Sequence, residues 1–278
     1  MIVGPLTSFA ENQAFDHRTQ FAGTAVATAP ARERLIVALD FPEARAALAL
    51  VDRLEGATRW FKVGLELYIT EGNSLVTELQ RRGFSIFLDL KLHDIPNTVA
   101  SAVRAAAGLG VNLLTLHAAG GSEMLTAASE AAGETGPGLL ALTVLTSIDD
   151  TELEATGVSG GTAAQVERLA SLAMGCGVQG LVCSPVEIAR LRSRLGGEPL
   201  LVIPGIRPDG AAVGDQRRVA NPGTAIAAGA SYLVVGRPIT RAADPGSAAR
   251  AILAEMQSAG GIGSSPATKA GAPDPDSL

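Results

Sequence analysis

Eight short aliphatic runs recur along the chain, and that recurrence limits the possible folds more than any other feature. They are LIVALD (35–40), RWFKVG (59–64), FSIFLDL (84–90), NLLTLHA (112–118), LLALTVLT (139–146), GLVCS (180–184), LLVIPG (200–205) and YLVVGR (232–237). Stretches of helical period, such as EARAALALVDRL and AAQVERLASLAM, separate them. The runs are continuously apolar, not half polar, which suits strands covered on both faces, as in a parallel sheet under helices. Eight strand–helix units in roughly 230 residues predict a single-domain α/β chain folded as a (β/α)8 TIM barrel. A doubly wound open sheet is the alternative, but no GxGxxG follows the first run to support a dinucleotide site.

Composition is consistent with one large core, since 47% of the 278 residues are hydrophobic and 18% are charged. A formal net charge of −6 argues against a broad basic surface. No nucleic-acid partner is therefore expected, and an anionic ligand needs a local cluster of Lys and Arg. No apolar run reaches the length of a membrane span, so no membrane partner is expected either. Cys176 and Cys183 have neither a disulfide framework nor zinc-type spacing, and the first residues lack the pattern of a targeting peptide, so a cytoplasmic location is expected. Residues 1–31 read as a partly ordered leader, 32–259 as the barrel, and 260–278, rich in Gly, Pro, Ser and Ala, as a disordered tail.

The polar residues gather at the ends of the runs. Asp40 ends the first, Lys62 lies late in the second, Asp89 and Lys91 end the third, and His117 ends the fourth. Thr146 and Ser147 end the fifth, Ser184 the sixth, Arg207 follows the seventh, and Gly236-Arg237 ends the eighth. In a barrel these positions ring one mouth, the C-terminal rim where active sites are built. The densest part is FLDLKLHDIPNT, which ends at Thr98. By strand alternation Asp89 and Lys91 point to one side, and Asp40 with Lys62 would extend them into an array of alternating charge. Flanking carboxylates favour the ammonium form of Lys91, which makes it a proton donor and not a Schiff-base nucleophile. Asp94, just before Ile95-Pro96, reads either as a helix cap or as a site group. His93 reads as a local hydrogen-bonding residue, His117 as either packed or functional, and His17 as incidental.

A second constellation follows the seventh run. The segment from Pro204-Gly205 passes through a Gly/Ala/Asp-rich loop into a helix with Asn221 as its cap and Pro222 in its first turn. With Gly236-Arg237 at the end of the eighth run, this predicts an anion site near a helix N-terminus, with Arg237 as a forked partner for phosphate and Gln216 on a closing loop.

The blocks LIVALD, FKVG, FLDLKLHDIPNT, LTVLTS, VIPGIRP, GDQ and VVGRPITRAADP, in that order, resemble the orotidine 5'-phosphate decarboxylase family, over residues 33–257. The resemblance implies cofactor-independent, metal-free decarboxylation of orotidine 5'-monophosphate to UMP in de novo pyrimidine biosynthesis. Lys91 would stabilise and protonate a carbanion-like C6. Asp40 and Lys62 would contact the ribose hydroxyls, Asp89 would sit beside the substrate carboxylate, and Thr146 would recognise the pyrimidine. Arg207, Gln216, Gly236 and Arg237 would belong to the phosphate region. Asp94 and Thr98 would reach into the other subunit's site, making a homodimer with shared sites. Two alternatives stay open: a Mg2+-dependent sugar-phosphate decarboxylase or aldolase of the same barrel family, with Glu66 as the nearest metal carboxylate, and a non-catalytic nucleotide-binding barrel.

Overall fold

The computed structural model describes residues 23–208 and 219–260. Its strands are β1 (Leu35–Leu39), β2 (Trp60–Gly64), β3 (Ser85–Leu92), β4 (Leu113–His117), β5 (Gly138–Leu142), β6 (Gly180–Val182), β7 (Leu200–Ile203) and β8 (Tyr232–Val235). All neighbours pair in parallel and β8 pairs with β1, so the sheet closes into a barrel and the open-sheet alternative falls. The principal helices are α1 (Ala44–Arg53), α2 (Leu65–Arg81), α3 (Pro96–Gly108), α4 (Gly121–Ala132), α5 (Gly161–Gly175), α6 (Ile188–Leu195), α7 (Pro222–Ala227) and α8 (Pro245–Gly260), each following the strand of the same number.

The continuous apolar runs are explained by two cores, one on each side of the sheet. Val37, Phe61, Leu88, Leu114 and Ile203 pack outward against the helices, whereas Ile36, Trp60, Phe87, Leu113 and Val202 fill the barrel. Alternation along each strand does the sorting. The inward parity then carries upward from Ile36 and Ala38 to Asp40, from Trp60 to Lys62, from Phe87 to Asp89, and from Leu113 to Thr115. Apolar side chains fill the lower layers and polar ones reach the mouth.

The floor of the barrel is closed by part of the expected leader. A helical turn, Gly23–Ala27, sends Val26 into the interior cluster that holds Trp60 and Tyr232, whose rings meet edge to face at 5.3 Å. The Gly23 N–H donates to the Glu198 carbonyl at 2.8 Å. Arg34 ties the same end together by donating to the carbonyls of Ala230 and Ser231. Residues 1–22 of the leader and 261–278 of the tail lie outside the described residues.

Two local expectations need correction. β5 stops at Leu142, not at residue 146, because β6 has only three residues and Leu142–Val182 is its last pair with β5. Thr146 and Ser147 therefore sit in a turn beyond the strand, where the Ile148 N–H donates to the Leu145 carbonyl at 2.9 Å. The second correction concerns β3. Its register against β4 shifts between Leu88–Leu114 and Leu92–Leu116, and Lys91 has φ +52°. Asp89 and Lys91 thus flank a bulge; they do not follow regular strand alternation.

Candidate active site

At the mouth, β1, β2 and β3 deliver four charges in a row. Lys62 Nζ lies 2.8 Å from Asp40 Oδ1 and 3.6 Å from Asp89 Oδ2, and Lys91 Nζ lies 2.8 Å from Asp89 Oδ1. The register Lys62–Phe87 and Gly64–Asp89 puts the Asp89 carboxylate level with the end of β2. Gly64 leaves room there, since a Cβ at that position would stand 2.9 Å from Lys62 Nζ. The array is not uniformly exposed: the side chains of Lys62 and Asp89 are 12% and 13% accessible, that of Asp40 63%. Screening is therefore weakest around the Lys62–Asp89 pair. Burial alone would raise the Asp89 carboxyl, but Lys62 and Lys91 outweigh it, helped by hydrogen bonds from Lys91 and Thr115, and hold it below the usual carboxylate range.

A cavity of about 470 Å³ opens beside these charges, a size suited to a small-molecule ligand. Asp40, Lys62 and Asp89 line one side, and Arg207, Gly236 and Arg237 line another. A smaller space of about 190 Å³ adjoins it, where Lys91 and Glu66 meet the same carboxylates. The structure thus joins the two constellations into one site. The anion end differs from expectation in one respect. Asn221 caps α7 as foreseen, with its Oδ1 accepting from the N–H groups of Gly223 (2.8 Å) and Thr224 (3.3 Å), so those donors are already used. The cavity is lined by Pro204, Gly205 and Arg207 after β7, as expected, and after β8 by Gly236 with Arg237 and Thr240 of the four-residue helix Arg237–Thr240 that Gly236 caps.

A protein from Alkalilimnicola ehrlichii named orotidine 5'-phosphate decarboxylase is 56% identical over 214 residues, covering 76% of this chain and 91% of that one. One of the same name from Sodalis glossinidius is 51% identical over 229 residues, covering 81% and 91%. The model of the orotidine 5'-phosphate decarboxylase / HUMPS family matches residues 33–252. The chain belongs to that family. Among solved structures, an orotidine 5'-phosphate decarboxylase from Lactobacillus acidophilus superposes with a TM-score of 0.73 at 39% identity, covering 81% of this chain and 99% of that one.

The remaining residues suggested by the resemblance to the orotidine 5'-phosphate decarboxylase family are distributed unevenly. Asp94 and Thr98 are exposed at the rim and line neither cavity. Asp94 does not cap α3, whose N-cap is Ile95; its Oδ1 accepts from the Ile95 N–H at 2.7 Å. Thr146 lines neither cavity, and Gln216 lies outside the described residues. His117 is half-buried with its ring centroid 5.3 Å from that of His93. Burial, then His93 and Lys91, lower its titration, with Asp89 opposing. Three residues lining or supporting the site were missed: Thr240 and Arg241 on the wall of the larger cavity, and Thr115, which donates to Asp89 Oδ1 at 3.0 Å. Thr115 had a visible signal, as a lone hydroxyl in an apolar run two residues before His117.

Proposed function

We propose that this chain decarboxylates orotidine 5'-monophosphate to UMP, a step of de novo pyrimidine biosynthesis, without metal or organic cofactor. The observation that carries the reading is the array Asp40–Lys62–Asp89–Lys91, of which Asp40, Lys62 and Asp89 line the same cavity as Arg207 and Gly236-Arg237 while Lys91 lines the smaller space beside it. The relatives named above support the same reaction. In this reading phosphate lies by Gly236 and Arg237, where guanidinium forks and backbone N–H groups suit an anion. The ribose lies by Asp40 and Lys62, and C6 of the base by Lys91. The C–C bond to the carboxylate breaks, carbon dioxide leaves, and the electron pair stays on C6. The Lys91 ammonium, fixed before reaction, stabilises that charge and then gives C6 its proton. Binding energy from the distant phosphate is used at the reacting carbon.

The sugar-phosphate alternative needs a divalent ion near Glu66. Lys62 already stands between Asp40 and Asp89 and neutralises the carboxylates that such an ion would use. We also read the enzyme as a cytoplasmic homodimer whose Asp94 and Thr98 complete the neighbouring site. The exposed rim position of both, beside Ile95 at 67% accessibility, supports this.

The test is to follow loss of the substrate's ultraviolet absorbance in EDTA. Conversion to UMP is expected, falling at least about 100-fold in Lys91→Ala, the scale of a lost general acid. Conversion only on adding Mg2+, or of sugar phosphates alone, would replace this reading with the metal-dependent one. Tight nucleotide binding without product would make the chain a binding barrel.

A further inference from the structure

Between the pairs Leu88–Leu114 and Leu92–Leu116, three residues of β3 (Asp89, Leu90 and Lys91) stand against Thr115 alone. The bulge leaves the backbone N–H of Lys91 without a ladder partner and puts a lysine at φ +52°, a conformation that non-glycine residues hold only when their surroundings impose it. Thr115 supplies that imposition. Its Oγ1 accepts the Lys91 N–H at 2.9 Å. A hydroxyl has one proton to give, and this one goes to Asp89 Oδ1 at 3.0 Å. The same carboxylate oxygen takes Lys91 Nζ at 2.8 Å, while Oδ2 faces Lys62. A single hydroxyl therefore grips the lysine by its backbone and its carboxylate partner by one oxygen. Thr115 is 1% accessible, so water cannot easily replace it, and its branched Cβ limits rotation.

We propose that Thr115 is a positioning residue of this site, holding the Asp89 carboxylate and the Lys91 bulge in the one arrangement that aims the ammonium into the mouth. The proposal rests on the decarboxylase reading and deepens it. Asp89, held below the usual carboxylate range partly by this hydroxyl, offers a readout that needs no turnover.

The experiment compares Thr115→Val, which keeps the shape and loses the hydroxyl, with Thr115→Ser, which keeps the hydroxyl. Thr115→Val should lower kcat about 10- to 100-fold, the worth of one hydrogen bond to a charged group, with KM little changed. In carbon-13 spectra of the labelled carboxyl, Asp89 should titrate at higher pH, and the Lys91 amide should exchange faster. Thr115→Ser should stay near the parent in all three. A folded Thr115→Val with parental kcat, or an unmoved Asp89 titration, overturns the proposal. So does a Thr115→Ser as impaired as Thr115→Val, which would place the effect in the methyl group. Should Thr115→Val not fold, Thr115→Cys replaces it: a kcat at least about tenfold below that of Thr115→Ser is expected, since a thiol donates weakly, and equal values overturn the proposal. If instead the decarboxylase reading is wrong, the parent leaves orotidine 5'-monophosphate intact while the Asp89 and Lys91 signals still respond to Thr115→Val.

Discussion

Asp89 is the residue on which the site turns, because among the described residues it alone faces both ammonium groups, at 2.8 and 3.6 Å. Its neighbour His117 gives the mouth a pH dependence of stability. Burial, His93 and Lys91 together lower the His117 titration against the opposing pull of Asp89. As pH falls through about 6.5, the unfolded chain takes up this proton first and the folded state resists it. Stability is therefore lost on acidification through that value, and the loss levels off below the lower folded value. Replacing His117 with Gln should flatten the stability–pH curve on the acidic side of about pH 6.5 relative to the parent. Denaturation midpoints measured across that range check it; identical slopes would show that His117 contributes nothing to the pH dependence.

At the level of elements, strand pairing is decided by what faces each residue across the barrel. Gly180 opens β6, and a Cβ built there would stand 2.5 Å from the Leu200 side chain, 2.7 Å from the Leu200 carbonyl and 2.9 Å from the Leu140 side chain. Its inward parity, shared with Val182, makes this a packing glycine at which Leu140 and Leu200 fill the layer. Gly180→Ala should destabilise by about 1–3 kcal/mol through overpacking. That corresponds to a drop of roughly 2–4 °C in Tm per kcal/mol for a domain of this size. An unchanged Tm would mean that β6 shifts freely, contrary to its two-sided pairing with β5 and β7. The run GLVCS identifies the strand but not the crowding at its first residue, because Leu140 and Leu200 are distant in sequence. The bulge in β3 is hidden for the same reason: it is defined only by its register against β4.

Over the whole molecule, the rim residues Asp94 and Thr98, like Thr146, belong to the proposed site but lie outside both cavities of the single barrel. If they complete a partner's site, two inactive chains can rescue each other. Asp94→Ala chains mixed equally with Lys91→Ala chains should recover about a quarter of parental activity, since half of random dimers are hybrid and each hybrid has one intact site of two. Absence of recovery in confirmed mixed dimers would confine each site to one chain.

Parity and period made much of this molecule legible in one dimension. Eight continuously apolar runs demanded a sheet buried on both faces, and the polar residues closing those runs marked one end of it. Asp40, Lys62, Asp89 and Lys91 follow from that pattern, as do Arg207 and Gly236-Arg237, and all of them line the joined cavities. Tertiary structure alone decided three things. It ended β5 where the short β6 ran out of partners, leaving Thr146 in a turn. It used the α7 N-terminus for Asn221, leaving the cavity wall to the residues after β7 and β8. It also set Thr115 opposite a bulge, where one hydroxyl meets both Asp89 and Lys91. Each depends on register between strands or on space between side chains far apart in the chain, and local propensity does not encode either quantity.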